Sequence, residues 1–185
     1  MKKNLLIKIL PSMLLLIVSC NSNGSAVDEK TQYTHLKDCK EQIENDNAAF
    51  SELLCSKIGS YSILIKKQSP QFITISLNTS GRSLATNFNP VTKELPIEHG
   101  KAIEWHLENK EPKYMIFRIA WGTPSEPFVM TERLVINLVG SDRICPLATI
   151  NTKAVKNANQ LARDLLGNEL SKIASCPKNV LEYPR

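Results

Sequence analysis

The chain has 185 residues, of which 42% are hydrophobic, 22% charged and 6% aromatic. These values are typical of one globular domain and exclude a mainly disordered chain, a collagen-like repeat and a polytopic membrane protein. The formal charge of +5 is misleading, because Lys2, Lys3 and Lys8 lie in an N-terminal segment that has no acidic residue. Without these three of the 23 basic residues, the chain has 20 basic and 18 acidic residues. This near balance gives no case for a nucleic-acid partner.

Residues 1–19 have the organisation of an export signal. Lys2 and Lys3 precede an apolar run whose core, residues 9–18, is shorter than a membrane-spanning helix. The run ends in Ile17-Val18-Ser19-Cys20, which resembles the lipobox of bacterial lipoproteins. The resemblance implies that Cys20 is acylated and becomes the mature N-terminus. An ordinary secretory signal with a chance cysteine is the alternative.

Residues 20–32 are polar and predict a flexible tether between the lipid and one domain at 33–185. Asn21 stands where an Asp often retains Gram-negative lipoproteins in the inner membrane. The predicted location is therefore the bacterial cell envelope, on the outer membrane and facing the periplasm if the cell is Gram-negative. The predicted membrane contact is the lipid anchor at Cys20.

Export places the other four cysteines in an oxidising compartment, and none of their spacings is C-x-x-C. We expect two disulfides, Cys39–Cys55 and Cys145–Cys176. A continuous helix over 39–55 would separate its ends by about 24 Å, too far for a disulfide. Turn residues at 45–47 predict a hairpin instead, and a helix over 47–58 is the alternative. Free catalytic thiols are disfavoured, because nothing near them resembles an activating base.

The remaining pattern predicts strands followed by one helix. Alternating runs predict strands at 61–66, 71–77, 102–107, 114–121, 128–139 and 143–150, joined by turns at 68–70, 78–81, 109–112 and 140–142. From Ala154 to Ile173 apolar residues recur at helical spacing, with Asn151 or Thr152 as cap and a bend at Gly167. The predicted fold class is α+β: an antiparallel β-sheet with one principal C-terminal helix and two disulfides.

Several segments resemble a set of small exported bacterial proteins of unestablished function. They are Ile103-Glu104-Trp105, Ile116-Phe117-Arg118, Arg143-Ile144-Cys145, the run Asn157-Ala158-Asn159-Gln160-Leu161-Ala162-Arg163, and the surroundings of Cys39, Cys55, Gly59 and Cys176. The resemblance covers about residues 33–176 and implies a disulfide-bonded periplasmic or surface domain with no assigned activity. This chain departs from the set at His106, where an Arg is expected, and in its lipobox.

The candidate interaction residues are Trp105, Arg118, Trp121 and Arg163. Trp and Arg dominate binding hot spots, so the first three are candidates for a recognition patch. The alternative is that one Trp belongs to the core and that Arg118 pairs with Glu104 across the sheet. Arg163, near the start of the predicted helix, is either an interaction residue or half of an ion pair.

Glu104 and His106 share one face of a predicted strand and would supply two metal ligands. Zinc sites need a third ligand and show tighter His motifs, so solvated strand residues are the favoured interpretation. We predict no metal site and no cofactor.

No motif for nucleophilic, phosphate or zinc chemistry occurs, which predicts no catalytic residue and no enzyme. The favoured function is a non-catalytic binding or inhibitory module that contacts another envelope protein. An accessory subunit of an envelope complex is the alternative, and a hydrolytic enzyme is less favoured.

Overall fold

The structure is a computed structural model that describes residues 30–44, 50–68, 72–93, 97–123 and 129–184. The predicted signal and the lipobox lie outside these residues. Within them, no helix is long and apolar enough to cross a membrane.

The described residues form mostly strands, with one main helix. The strands are β1 (Thr31–His35), β2 (Lys40–Glu44), β3 (Phe50–Ile58), β4 (Tyr61–Gln68), β5 (Phe72–Thr79), β6 (Arg82–Ala85), β7 (Ile97–Glu108), β8 (Glu111–Thr123), β9 (Val129–Val139), β10 (Ile144–Asn151) and β11 (Leu181–Tyr183). The helices are α1 (Asn89–Thr92) and α2 (Ala158–Asn168), with 3-10 turns at Leu36–Asp38 and Leu170–Lys172.

The strands form two sheets. The large sheet has the order β1-β7-β8-β9-β10-β11, and the small sheet has the order β2-β3-β4-β5-β6. All pairs are antiparallel except β10 with β11, which is parallel. The α+β class, the antiparallel pairing and the single main helix are confirmed. The prediction of one sheet is wrong, because the period-2 pattern that predicts strands does not say which strands share a sheet.

The two sheets pack face to face around the first core. Alternate residues of β4 and β5, such as Ile65 and Leu77, meet alternate residues of β7 and β8, such as Trp105 and Phe117. All four side chains are fully buried. This packing is that of a β-sandwich, with polar residues on the outer face of the small sheet.

The second core lies on the opposite face of the large sheet, under α2. Ile116 and Ile136 point to this face, whereas their chain neighbours Phe117 and Val135 point to the first core. The helix contributes the buried residues Ala158, Ala162, Leu165 and Leu166. The middle of the large sheet is therefore apolar on both faces. Every residue of β10 except the last, Asn151, is buried.

Both predicted disulfides are confirmed. The Cys39–Cys55 bond joins the start of β2 to β3, and these strands pair antiparallel, as the hairpin prediction requires. The turn residues 45–49 lie outside the described residues. The Cys145–Cys176 bond ties the segment after α2 to β10. In the chain-entropy treatment such bridges stabilise by about 3–4 kcal/mol each.

The predicted boundaries need three corrections. First, α2 begins at Ala158 rather than at Ala154, and Asn151 caps a turn through Lys153 N–H instead of a helix. Second, the turn predicted at 109–112 is only Asn109 and Lys110, both with positive φ, as a two-residue hairpin turn requires. Third, β1 begins at Thr31, two residues before the predicted start of the domain at residue 33.

Strand β1 lies at the edge of the large sheet and is secured by a buried side-chain hydrogen bond. The Trp105 indole N–H donates to Thr34 Oγ1 at 2.9 Å, and both side chains are buried. A buried donor that loses its acceptor costs about 1–3 kcal/mol.

We expect Thr34→Val to lower the free energy of unfolding by about 1–3 kcal/mol, because valine keeps the shape but removes the indole's acceptor. The measurement is urea unfolding at pH 7 with both disulfides intact. Thr31→Val on the same strand is the matched control, since Thr31 makes no side-chain hydrogen bond to another residue that the structure describes, and we expect a change within about 0.5 kcal/mol. Equal effects of the two substitutions would contradict the role of the Thr34–Trp105 bond.

Candidate functional site

The helix α2 leaves one end of the large sheet uncovered, and a polar surface lies there. Three adjoining cavities of about 240, 360 and 380 Å³ share Arg118 as a lining residue. We call this surface the Arg118 face and define it by Tyr33, Lys101, Arg118, Lys156 and Asn159. These residues come from β1, β7, β8, and the start of α2 with the segment before it, so only the folded chain assembles the surface.

An irregularity in β7 shapes the Arg118 face. The register with β8 shifts between His99 and Ile103, which makes β7 bulge beside Arg118. A Cβ at Gly100 would lie only 2.9 Å from Arg118 Cβ and 3.2 Å from Arg118 O. Glycine is therefore the residue that lets the two strands approach so closely here.

Arg118 is held in place but stays half-exposed. Its Nη1 donates to Glu132 Oε1 at 2.6 Å, and its Nη2 reaches Asn159 Oδ1 at 3.5 Å. A hydrogen bond from Thr152 and the neighbouring Arg118 guanidinium lower the pKa of Glu132. The rest of the guanidinium faces solvent, with 38% of the side chain exposed.

A second cluster, the Glu104 clamp, fastens α2 to the large sheet and consists of Tyr33, Glu104, His106 and Arg163. Arg163 on α2 donates from Nε to Glu104 Oε1 and from Nη2 to Glu104 Oε2, each at 2.9 Å. His106 Nε2 lies 2.8 Å from Glu104 Oε1, and Arg163 Nη2 also donates to Tyr33 Oη at 3.2 Å. A bidentate Arg–carboxylate pair of this kind is strong and geometrically specific.

The clamp keeps Glu104 ionised although the residue is only 7% exposed. Burial by itself would raise the pKa of Glu104, but hydrogen bonds from His106 and Arg163 and the charge of Arg163 outweigh burial and lower it to about 2. The hydrogen bond with Glu104 raises the pKa of the Arg163 guanidinium. Burial and the nearby Glu104 charge raise the pKa of Tyr33. Glu104 is thus ionised and paired with Arg163 at every physiological pH.

The structure separates the four predicted interaction residues into two groups. Trp105 is fully buried and Trp121 is 9% exposed, both in the core between the sheets. The recognition hypothesis is therefore wrong for both tryptophans, because neither offers a surface to a partner. Arg118 lies at the uncovered end of the sheet, whereas Arg163 lies on α2 and is paired with Glu104.

The predicted pairing of Arg118 with Glu104 is also wrong. Arg118 pairs with Glu132, and Glu104 pairs with Arg163. All these side chains lie on the same face of the large sheet or on the helix that covers it. The location of α2 decides the partners, and strand alternation alone does not reveal it.

Sequence reasoning missed Tyr33, which is 50% exposed. Its ring stacks on His35, with ring centroids 6.4 Å apart. Tyr33 follows the predicted tether, and nothing local distinguishes it from a residue at the end of a linker. Its place on the Arg118 face results from the pairing of β1 with β7, about seventy residues away in the chain.

Comparison with known proteins gave no match among protein-family models, curated proteins or solved structures. Within the described part of the chain, no group of three or more His, Cys, Asp or Glu side chains is placed to hold a metal ion. Glu104 and His106 do lie together, as their strand positions predict, but Arg163 occupies both carboxylate oxygens of Glu104.

We expect Glu104→Gln to lower the free energy of unfolding by on the order of 3 kcal/mol at pH 7, because it leaves Arg163 without its charged partner. The folded-state pKa of Glu104 lies below the ordinary value of 4.5. Its contribution is therefore complete above about pH 4.5 and is lost as the pH falls towards 2. Urea unfolding at pH 7, 5, 4 and 3 measures the difference between wild type and variant, which should shrink towards the acid end.

Glu132→Gln is the matched control, because Glu132 also pairs with an arginine but is 37% exposed. We expect this substitution to cost less than about 1 kcal/mol. A difference between wild type and Glu104→Gln that is small, or that does not change with pH, would contradict the clamp.

Proposed function

We propose that this chain is a lipid-anchored protein of the bacterial cell envelope that acts by binding another envelope protein, without catalysing a reaction. The observation that carries the proposal is the distribution of the cysteines. Of the five cysteines, four are paired in Cys39–Cys55 and Cys145–Cys176, which leaves Cys20. Disulfides of this kind are typical of exported domains.

The surroundings of Cys20 support lipidation. It directly follows Ile17-Val18-Ser19 at the end of a segment with two leading lysines and an apolar core. In a bacterial cell this arrangement directs acylation of the thiol, and two or three acyl chains anchor a protein stably. Asn21, rather than Asp, favours the outer membrane and the periplasmic side in a Gram-negative cell.

The Arg118 face is the binding surface we assign to this protein. It combines an exposed tyrosine, Tyr33, with a half-exposed arginine, and both residue types are enriched in binding hot spots. Among the described residues that line its three cavities, four are cationic and two are acidic: Lys101, Arg118, Lys156 and Arg163 against Glu104 and Glu132. The excess of positive charge favours an acidic segment on the partner protein.

The chemistry of the Glu104 clamp supports binding over catalysis. A general acid or base needs a pKa near the working pH and a free proton-transfer site. Glu104 has a pKa of about 2, and Arg163 and His106 occupy its oxygens. The clamp is therefore suited to hold α2 against the sheet and to fix the edge of the binding surface.

We expect Cys20→Ser to abolish lipidation and release the chain from membranes, because serine lacks the thiol that accepts the diacylglycerol. Detergent-phase partitioning and the mass of the N-terminal peptide measure the two effects. The wild-type chain is the control, and its N-terminal peptide should carry the acyl mass at Cys20. Full membrane retention of the variant, together with an unmodified wild-type N-terminus, would refute the anchor.

The binding surface is tested by a photo-crosslinking amino acid in place of Lys101, activated in living cells. We expect one major adduct with an envelope protein, crosslinked through a peptide rich in Asp and Glu. Adding Arg118→Ala should reduce its yield at least fivefold, the effect of about 1–3 kcal/mol at a hot spot.

Lys178→Ala is the matched control, because Lys178 is an exposed cation that lines none of the three cavities. We expect it to leave the adduct unchanged. Thermal unfolding of each variant establishes that the domain is intact. Adducts that scatter over many proteins, or that persist with Arg118→Ala, would refute the assignment of this surface.

A further inference from the structure

Strand β1 pairs with β7 on one side, and no strand that the structure describes pairs with its other side. One hydrogen bond shows which backbone groups of β1 face outwards: Leu107 N–H donates to Lys30 O, just before the strand begins. In an antiparallel pair, bonded and non-bonded positions alternate along the strand. The second and fourth residues of β1 therefore bond to β7, whereas the backbone groups of Thr31, Tyr33 and His35 point away from it.

These outward groups form what we call the open edge: the N–H and C=O of Thr31 and of Tyr33, and the N–H of His35. The C=O of His35 is not included, because the chain turns there into the 3-10 turn Leu36–Asp38. Tyr33 and His35 are exposed. The open edge has no backbone partner in the described part of the chain, so it is free to pair with an added strand.

The other three sheet edges each carry a feature that prevents strand pairing. Strand β2 is charged at Lys40, Glu41 and Glu44 and contains a register shift. Strand β6 has four residues and continues into Thr86, which bridges to β10. Strand β11 has three residues and leads into Pro184. Proteins use charge, bulges, short length and proline to keep edges from pairing. The five residues of β1 have no charge, no proline and no register shift.

The small sheet extends past the large sheet at the open edge. Strand β5 contacts β7, and β3 contacts β1. Since β2 lies on the far side of β3 from β4, it lies beyond β1, where the described part of the large sheet has no strand. The apolar residues Leu36, Cys39 and Leu53 lie near this overhang and are only partly buried against the first core. One more strand on β1 would cover them and complete the sandwich.

We propose that an extended segment of the envelope protein that binds the Arg118 face adds to β1 as a further strand. This inference rests on the proposed function. Tyr33 connects the two surfaces, because its backbone lies on the open edge and its side chain lines a cavity together with Lys101 and Arg118. Directly opposed residues of paired strands point to the same face of a sheet. The residue opposite Tyr33 therefore meets the Arg118 face, and the residues opposite Gln32 and Thr34 face the overhang.

The two faces of the added strand require different side chains. Towards the Arg118 face the proposed function calls for acidic residues. Towards the overhang, Leu36 and Leu53 call for apolar ones, because each apolar side chain that covers them leaves water. The added segment thus alternates acidic and apolar residues over about five positions, which is the period of a strand.

A second copy of this domain fits the open edge less well than a single segment. A copy paired through its own β1 would bring its own β2 and β3 to the space that β2 occupies here. The segment that precedes Lys30 is also a poor strand, because it begins Asn21-Ser22-Asn23-Gly24-Ser25. Asn and Gly are depleted in strands, and none of these five residues is apolar and large enough to cover the overhang.

Amide hydrogen exchange tests the proposal residue by residue. The protein is the lipidated mature chain, labelled with ¹⁵N in detergent micelles, alone and with the envelope protein captured in the crosslinking experiment. In the chain alone, the Gln32 and Thr34 amides should be protected by β7, and those of Thr31, Tyr33 and His35 should exchange at least about tenfold faster. The captured protein should slow these three by at least about tenfold and change the other two by less than about twofold.

The alternation separates strand addition from other modes of binding. Contact through side chains alone would leave the three outward amides fast or slow all five alike, and either result would overturn the inference. Slow exchange of the three outward amides in the chain alone would also overturn it. A slowing that grows with protein concentration would identify a second copy as the occupant, and one independent of concentration would identify the segment before Lys30.

The variants Thr31→Pro and Thr31→Val test the open edge in cells. Proline is tolerated at the first residue of an edge strand, but it removes one outward N–H. Valine removes the same hydroxyl and keeps the N–H. We expect Thr31→Pro to lower the yield of the adduct at Lys101 at least about threefold relative to Thr31→Val. Protection of the Gln32 and Thr34 amides in both variants establishes that β1 still pairs with β7.

The proposed function and this inference fail in different ways. Absence of a specific adduct at Lys101 refutes both. A specific adduct that Arg118→Ala removes, but that forms equally in Thr31→Pro and Thr31→Val and brings no alternating protection, refutes the added strand alone.

Discussion

The large sheet is apolar on both faces in its middle strands, and this constraint organises the rest of the described chain. One face is covered by the small sheet and the other by α2. An 11-residue helix is about 16 Å long and cannot cover the whole length of β7 or β8. The strands therefore become polar where the helix begins, at Arg118 and Glu132. The Arg118 face exists because the second cover is shorter than the sheet it covers.

The Glu104 clamp fixes where that cover ends. Apolar contacts under α2 hold it on the sheet, but such contacts are not directional and do not set its position along the strands. The bidentate pair between Arg163 and Glu104 is directional, and it joins the helix to β7 at one place. Tyr33 extends the same network to β1. Apolar packing thus attaches α2 to the sheet, and the ion pair fixes the position of the helix along the strands.

Sequence patterns predicted the parts of this fold that local chemistry determines. The strand pairs β4 with β5, β7 with β8 and β9 with β10 follow from alternation and turn residues, and the disulfides follow from cysteine spacing and the hairpin. Three features depend on distant contacts and were not predicted: the second sheet, the edge strand β1 and the parallel strand β11. The helix start was misplaced because Ala154 and Val155 fit the apolar period although the chain turns there.

The candidate site was predictable only in its composition. The arginines and tryptophans were chosen as candidates by residue type, but the structure shows that Trp105 and Trp121 are buried. Tyr33 was not selectable, because its exposure and its neighbours depend on a strand pairing between distant residues.

Strand β1 also determines how the domain responds to force. Tension in the N-terminal segment enters the domain at Lys30 and reaches β1 first, and β1 is held to β7 by five paired positions. A pull along the strand shears these backbone bonds together with the Thr34–Trp105 and Tyr33–Arg163 bonds, so the resistance is shared. A pull perpendicular to the strand breaks these bonds one after another. A load applied along β1 therefore meets the stiffest direction of the attachment. Because Tyr33 belongs to β1, detachment of the strand dismantles the Arg118 face.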